Sequence, residues 1–185
     1  MIKITKLQLQ QVFKTVDNKN SKFELNHIYI DDENIVSTDT RAISIIQHDE
    51  KVDIPFLICR SIIDVALKNK NAYFYDIHQK GIDLLDKDDR HIMSIIQPER
   101  SDNHFRFPDY KRVIPKKTTK QIEFYQKSQI SGLLLANRVF IDEKYVPDVK
   151  EGTVGITGSN TPIIINDPIT KLTYVAMPIC GILDD

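Results

Sequence analysis

The chain has 185 residues, which is enough for one large domain or two small ones with a buried core. Its 41% hydrophobic and 28% charged residues are typical of a soluble globular protein, and no apolar run approaches the length that spans a bilayer. The net charge of −1 argues against a protein that coats nucleic acid indiscriminately, although basic residues gathered on one face would still allow contact with DNA.

The N-terminus has neither the apolar stretch nor the cleavage site of a signal peptide. Cys59 and Cys180 lie far apart in apolar contexts. We therefore expect free thiols in a reducing cytoplasmic environment rather than a disulfide.

A first helix is predicted over residues 6–17, because apolar residues recur there at helical spacing. Another face of this helix carries a polar stripe at positions i, i+4 and i+8, formed by Lys6, Gln10 and Lys14. Two interpretations of the stripe stay open at this point. It is either a solvated helix face or a row of contacts to DNA phosphates.

The segments that follow predict an α+β unit with antiparallel strands. Residues 23–29 alternate as a strand, an acidic turn follows, and residues 35–46 resume the strand, which together indicate a hairpin. Pro55 is placed at the start of a second helix with a wide apolar side. Further strands are predicted at residues 72–78, 81–85 and 91–97, and residues 2–5 allow one more.

Residues 107–115, with the sequence FPDYKRVIP, contain two prolines that exclude a helix interior or a central strand. This segment predicts a rigid extended connection, with Phe107, Tyr110 and Val113 as packing anchors. A basic linker follows, and the shorter C-terminal part is mostly β. Its predicted elements are strands at residues 121–126, 154–156, 163–165 and 172–179, an apolar run at 133–136 and one helical turn within 142–149.

The sequence contains no recognisable catalytic constellation. The five histidines lack helical metal-ligand spacing, and no P-loop, dinucleotide-binding or nucleophile-elbow motif occurs. The acidic residues around His48, namely Asp49, Glu50 and Asp53, fit turn and capping roles better than a metal site. We expect no enzyme activity, no metal and no cofactor.

Four segments, in chain order, resemble the bacterial DNA polymerase III β subunit, the sliding clamp. They are residues 23–26 (FELN), 37–41 (STDTR), 107–115 (FPDYKRVIP) and 174–179 (YVAMPI). The FPDY run is the most specific of them, because it is similar to the connector between the second and third clamp domains.

The resemblance implies a shortened clamp that lacks the first of three domains. It assigns residues 1–107 to a clamp-like domain with two helices, residues 108–120 to a connector, and residues 121–185 to a trimmed, mostly β domain. The implied fold class is α+β, with antiparallel sheets and pairs of helices.

The resemblance also implies a function: a processivity factor that encircles or tethers to duplex DNA without reading its sequence. A hydrophobic pocket would bind short linear motifs of DNA polymerases or repair proteins. The implied partners also include a clamp loader and further copies of the chain in a homo-oligomer, and no membrane. Matching motifs place Leu25, Thr38, Arg41, Pro108, Arg112, Val113, Val175, Met177, Pro178 and Ile179 in the pocket. The residues expected to face DNA are Lys6, Gln10, Lys14, Arg60 and Lys68.

The sequence departs from the family pattern at some of these positions. The STDTR run is one residue shorter than its counterpart, with Thr40 in place of a glycine and a histidine, and Cys180 replaces a basic residue. With fewer domains, a ring would need a different number of subunits, such as three. Two alternatives therefore stay open: an interaction module that does not encircle DNA, and a metal-dependent nuclease that rests only on scattered acidic residues.

Overall fold

The computed structural model describes residues 1–17, 22–98 and 106–179. It divides the chain into two compact units: residues 1–39 with 45–108, and residues 40–44 with those from 109 onward. No helix within the described ranges is long and apolar enough to cross a membrane.

The first unit contains two antiparallel sheets and two helices. One sheet has the order β1-β6-β7-β8, and β5, β2 and β3 are neighbours in the other. The strands are β1 (Ile2–Thr5), β2 (His27–Ile30), β3 (Asn34–Thr38), β4 (Ala42–Gln47), β5 (Phe56–Cys59), β6 (Phe74–His78), β7 (Gly81–Leu85) and β8 (His91–Ile96). The helices are α1 (Lys6–Phe13) and α2 (Arg60–Lys68).

Helices α1 and α2 pack against each other. Helix α1 begins at a capping box, in which the Thr5 hydroxyl accepts a hydrogen bond from the backbone N–H of Gln8 and the Gln8 side chain accepts one from the backbone N–H of Thr5. The apolar residues that the two helices bury are Leu9, Val12, Ile62, Ile63 and Ala66. Their burial fixes which helix faces remain for solvent or a ligand.

A buried hydroxyl pair joins the end of α1 to β3. Ser37 donates a hydrogen bond to the carbonyl of Val12, so Thr15 is the donor in the 2.5 Å bond between the two hydroxyls. Both side chains are almost fully buried. A hydroxyl left unpaired at such a site would cost about 1–3 kcal/mol, which makes this pair part of the core.

The second unit is one antiparallel sheet with a single described helix. Its strands are β9 (Lys120–Phe124), β10 (Gly152–Ile156), β11 (Ile163–Asp167) and β12 (Leu172–Ala176), in the order β12-β11-β10-β9, and its helix is α3 (Lys127–Ala136). Residues 42–44 of β4 belong to this unit and lie beside β12. The core includes Phe124, Ile130, Leu134, Val154, Ile165 and Tyr174.

The predicted α+β class with antiparallel sheets is confirmed, but several element boundaries were wrong. Residues 56–59 form strand β5 rather than the first turn of a helix, and α2 begins only at Arg60. Backbone pairing of β5 with β2, from Phe56 opposite Ile30 to Cys59 opposite His27, outweighs the helical spacing of this apolar run.

Two further local predictions were wrong for physical reasons. Residues 23–26 form a 3-10 turn before β2, and α1 ends at Phe13 instead of near residue 17. Helix α3 was not predicted, because it buries only Ile130 and Leu134 and contains Gly132, which weakens the helical signal of its sequence.

Candidate functional site

The chain after β12 carries two exposed apolar side chains in the second unit. The N–H of Met177 donates to the carbonyl of Arg41 at 2.9 Å, and the N–H of Ile179 donates to the carbonyl of Phe140 at 2.6 Å. Burial alternates along this segment: Pro178 is buried, whereas Met177 and Ile179 are 46% and 44% exposed. The backbone therefore holds both apolar side chains toward solvent.

Charged side chains accompany this exposed pair. Asp142 follows Phe140 by two residues, and its carboxylate lies 3.0 Å from the ammonium of Lys144. The hydrogen bond from Lys144 is the main cause that lowers the pKa of Asp142 below its ordinary value, and the positive charge of Arg41 adds to the effect. The positive charge of Arg41 therefore acts on Asp142, two residues beyond Phe140, whose carbonyl accepts the hydrogen bond from Ile179.

The connector segment forms a turn rather than a fully extended link. Residues Tyr110–Arg112 make a 3-10 turn, in which Tyr110 is buried as expected. Val113, which was predicted as a packing anchor, is instead 45% exposed. Arg112 is also exposed, at the edge of ion-pair distance from Asp109 (4.0 Å), so its guanidinium remains accessible. A hydrogen bond closes the turn: the backbone N–H of Val113 donates to the carbonyl of Tyr110.

The predicted pocket residues divide between the two units. Seven of them belong to the second unit: Arg41, Arg112, Val113, Val175, Met177, Pro178 and Ile179. Val175 is buried there as a residue of strand β12. Leu25, Thr38 and Pro108 belong to the first unit. Leu25 and Thr38 are buried, whereas Pro108 is exposed. Phe107, in the first unit, stacks on Tyr29 with ring centroids 4.7 Å apart.

Two cations predicted to face DNA also join α1 to α2. The ammonium of Lys6, at the start of α1, donates to the carbonyl of Asn69 at the end of α2 (2.9 Å). The guanidinium of Arg60, at the start of α2, donates to the carbonyl of Val16 beyond α1 (2.6 Å) and lies 4.5 Å from the ring of Phe13. The helices are therefore antiparallel, and each places a cation at the negative end of the other.

The remaining candidates on these helices are more accessible. Gln10 and Lys14 are exposed, although Lys14 lies just beyond the end of α1 rather than inside it. Lys68 is exposed and forms an i, i+4 ion pair with Asp64 at 2.7 Å. In the polar stripe predicted from the sequence, Gln10 and Lys14 are thus accessible to a ligand, whereas the ammonium of Lys6 is hydrogen-bonded to the carbonyl of Asn69.

The structure also reveals a thiol–imidazole pair that was not expected from the sequence. Cys59 lies opposite His27 in the β2–β5 ladder, at the residue that precedes α2. A hydrogen bond with His27 lowers the pKa of the Cys59 thiol to about 6, and Ser61, 3.1 Å from the sulfur, contributes in the same direction. Only the tertiary pairing of distant strands brings these residues together.

Among the described residues, no group of three or more His, Cys, Asp or Glu side chains could hold a metal ion. Asp31 is a turn residue: its carboxylate accepts hydrogen bonds from the backbone N–H groups of Glu33 and Asn34, and a ring nitrogen of His48 lies 3.0 Å from its carbonyl oxygen. Of the acidic residues expected around His48, Asp53 forms an exposed ion pair with Lys51 at 3.2 Å.

Comparison with solved structures shows that the chain has the fold of bacterial sliding clamps. It is similar to Caulobacter crescentus pol III beta (TM-score 0.66, 14% identity), covering 97% of this chain and 65% of that one. It is also similar to the Pseudomonas aeruginosa DnaN sliding clamp bound to griselimycin (TM-score 0.61, 13% identity, 97% and 65% covered). A third similar structure is the Thermotoga maritima DNA polymerase III β subunit (TM-score 0.60, 15% identity, 98% and 66% covered).

The chain thus spans about two thirds of the length of the clamps that it matches (65% for the first). No family model matches the sequence, and no curated protein matches it. The resemblance to sliding clamps drawn from four short segments is confirmed at the level of the fold.

Proposed function

We propose that this chain, which has the fold of the bacterial sliding clamps, acts as a non-catalytic processivity factor for a DNA polymerase. It would hold its partner near duplex DNA by binding a short linear peptide. The observation that carries the proposal is the exposed pair Met177 and Ile179, which backbone bonds to Arg41 and Phe140 hold in place.

The chemistry of this surface suits an apolar peptide with polar ends. Methionine adapts its shape to different apolar side chains, and the β-branched Ile179 and Val113 supply stiffer apolar contacts. Arg41 and Arg112 could place their charged heads on peptide carbonyl or carboxylate oxygens while their stems cover apolar surface. Within the second unit, Val175 and Pro178 are proposed to contribute to the same pocket.

Contact with DNA would use the helices of the first unit. Gln10, Lys14 and Lys68 are exposed there, and Lys6 and Arg60 lie at the helix ends. Such a small number of cations would bind duplex DNA weakly and without sequence specificity, which suits a protein that slides along DNA. Encircling the duplex would require further copies of the chain, with or without a clamp loader.

The proposal is tested by measuring peptide binding. A fluorescent clamp-binding peptide is titrated with the wild-type chain and with Met177→Ala, and the unlabelled peptide serves as the competitor. We expect binding that Met177→Ala weakens about tenfold, the scale of losing a buried apolar anchor. The matched control is Ile169→Ala, because Ile169 is another exposed apolar residue of the second unit (62%) outside the proposed pocket. No binding, or equal losses for both variants, would refute the pocket.

A second candidate function is an interaction module that binds clamp partners without encircling DNA. The observation in its favour is that Lys6 and Arg60 bond within the fold and Lys68 pairs with Asp64, which reduces the positive charge offered to phosphates. Retention on circular DNA distinguishes the two functions. A sliding ring stays on a closed circle and is lost after linearisation, whereas a module shows no such difference.

A further inference from the structure

The side chains of Cys59, His27 and Ser61 form a cluster in the first unit that the proposed function does not use. Cys59 is the last residue of β5 and lies directly opposite His27 of β2. Directly opposite residues of an antiparallel pair project from the same face of the sheet, with their Cβ atoms about 5 Å apart. The hydroxyl oxygen of Ser61 lies 3.1 Å from the sulfur of Cys59. A thiol, an imidazole and a hydroxyl therefore meet at this point.

The ring of His27 is held in one orientation. It is buried, it packs against the ring of Phe23 with centroids 4.3 Å apart, and its Nδ1 lies 2.7 Å from the carbonyl oxygen of Phe23. A carbonyl oxygen only accepts hydrogen bonds, so Nδ1 carries a proton and donates it. Nε2 is then the ring nitrogen that serves the thiol of Cys59, which is the arrangement of a nucleophile beside a base.

The surroundings of the sulfur favour its thiolate form. The hydrogen bond with His27 is the main cause that lowers the pKa of Cys59 to about 6, and Ser61 acts in the same direction. Cys59 is also the residue that precedes the first turn of α2, where a negative charge is stabilised by the helix dipole. At pH 7 the sulfur is therefore mostly thiolate, which is the form that acts as a nucleophile.

A small reagent can reach this sulfur, and no second thiol of the described ranges competes with it. Cys59 is only half-buried, and its neighbour Ser61 is exposed. Cys59 is the only cysteine among the residues that the structure describes, so an oxidised Cys59 finds no partner there for a disulfide. Accessible cysteines of low pKa are those that peroxides oxidise to sulfenic acids, and thiols reverse this first step of oxidation.

The cluster lies where both sheets and both helices of the first unit are joined. The side-chain amide of Gln97, just beyond β8, accepts from the N–H of Cys59 at 3.4 Å and donates to the carbonyls of Leu57 at 3.1 Å and Gln79 at 2.7 Å. Gln97 thereby connects β5 with the β6–β7 turn of the other sheet. The residue after Cys59 is Arg60, which joins α2 to the end of α1.

We propose that Cys59 is a site of reversible oxidation by hydroperoxides, which convert its thiol to a sulfenic acid. The sulfur attacks one peroxide oxygen, so that an S–O bond forms and the O–O bond breaks. The thiol proton passes to Nε2 of His27 and then to the departing oxygen, which leaves as water when the oxidant is hydrogen peroxide. The sulfur loses the two electrons that the peroxide gains. This inference goes beyond the proposed function and does not depend on peptide or DNA binding.

The first experiment measures how fast the sulfenic acid forms. The native Cys180→Ser chain is treated with hydrogen peroxide at pH 6 in the presence of dimedone, which captures sulfenic acids, and labelled Cys59 is quantified by mass spectrometry. At this pH about half of the native thiol is thiolate, against about one-thousandth at the ordinary pKa of 9.0. The weaker nucleophilicity of a less basic thiolate offsets about twentyfold of this gain. We therefore expect labelling about twentyfold faster than in the same chain unfolded in urea.

The second experiment tests the roles of His27 and Ser61 in the same background. His27→Gln should slow labelling at pH 6 about fivefold or more and move the pH dependence of the rate upward, a shift that a merely structural role would not produce. Ser61→Ala, at an exposed position, should shift the pH dependence in the same direction by less. The matched control is His48→Gln, because His48 also bonds a backbone carbonyl through its ring but is not part of the cluster. Thermal unfolding verifies that each variant is folded.

Three results would overturn the inference. The first is labelling of Cys59 that is no faster in the native chain than in urea, and this comparison decides the matter even if His27→Gln does not fold. The second is a pH dependence that a folded His27→Gln leaves in place, or that His48→Gln shifts equally. The third concerns reversibility: dithiothreitol added after the peroxide and before dimedone should abolish the labelling and restore the free thiol, and oxidation that it does not reverse would contradict a sulfenic acid.

Discussion

The pair formed by His27 and Cys59 makes the reactivity of one thiol a test of the tertiary structure. His27 is buried, and its Nδ1 donates to the carbonyl of Phe23 at 2.7 Å, which leaves its other ring nitrogen for Cys59. The hydrogen bond with His27 is the first cause that brings the pKa of Cys59 from 9.0 to about 6, against desolvation, which raises it. The thiol is therefore expected to titrate in the mildly acidic range.

The magnitude follows from these two pKa values. At pH 7, a thiol with a pKa of about 6 is roughly nine-tenths thiolate, whereas one at 9.0 is about one-hundredth thiolate. A less basic thiolate is also a weaker nucleophile, by about twentyfold here, so the net gain in the rate of disulfide exchange at pH 7 is only about fourfold. The pH profile therefore discriminates better than the rate itself.

The assay follows exchange of Cys59 with dithiodipyridine as a function of pH in the native Cys180→Ser protein. The rate should rise to a plateau with its midpoint near pH 6. His27→Gln should move the midpoint upward more than Ser61→Ala does, because His27 is the larger of the two causes. A wild-type midpoint near 9.0, or one that His27→Gln leaves in place, would refute the pairing of β2 with β5 at this position.

Three further predictions concern stability and titration. Ser37→Ala removes a buried hydroxyl that is hydrogen-bonded to Thr15 and to the carbonyl of Val12. It should lower the free energy of unfolding, measured by urea denaturation, by about 1–2 kcal/mol. An unchanged free energy of unfolding would mean that the hydroxyl pair does not stabilise the fold. Gly81→Ala should lower it by about 2 kcal/mol or more, since φ is +149° and a Cβ would lie 2.0 Å from the carbonyl oxygen of Ile95. Gly132→Ala is the matched control and should instead raise it by about 1 kcal/mol, because that helical position is open; equal effects of both changes would contradict the turn geometry. The carboxylate of Asp86 accepts hydrogen bonds from the backbone N–H groups of Arg90 and Asp88, which lower its pKa below 3.8. The stability that Asp86 gives to the β7–β8 turn is therefore present above pH 3.8 and is lost as the pH falls below that value. An NMR titration of Asp86 with a midpoint at or above 3.8 would disprove this.

Much of the architecture could be predicted from the sequence, because its signals are local. Alternation of apolar residues and turn residues placed β7 at its observed bounds and β6 and β8 within two residues of theirs. Helix α3 was not predicted because it has only two buried residues, Ile130 and Leu134, and these give too weak a helical periodicity of apolar residues. The run at residues 56–59 was assigned to a helix because periodicity alone does not distinguish a short buried strand from a helical turn.

The candidate site was predictable only in part. Four short segments were enough to indicate the sliding-clamp fold, since they occur in the order of the clamp sequence and one of them, FPDYKRVIP, combines proline, aromatic and charged residues. They did not indicate which members are exposed: Met177, Ile179 and Val113 are accessible, whereas Leu25, Thr38 and Val175 are buried. Exposure depends on what packs above a residue, and that is not a local property of the sequence.

The sequence by itself determined the α+β class, the antiparallel strands and the likeness to sliding clamps, because these depend on neighbours along the chain. Only the tertiary structure decided that Lys6 and Arg60 join two antiparallel helices and that Cys59 lies opposite His27. Each of these depends on groups that are far apart in sequence and that meet only when strands and helices pack. Charged and polar residues are the least predictable from sequence, since their partners decide whether they serve the fold or a ligand.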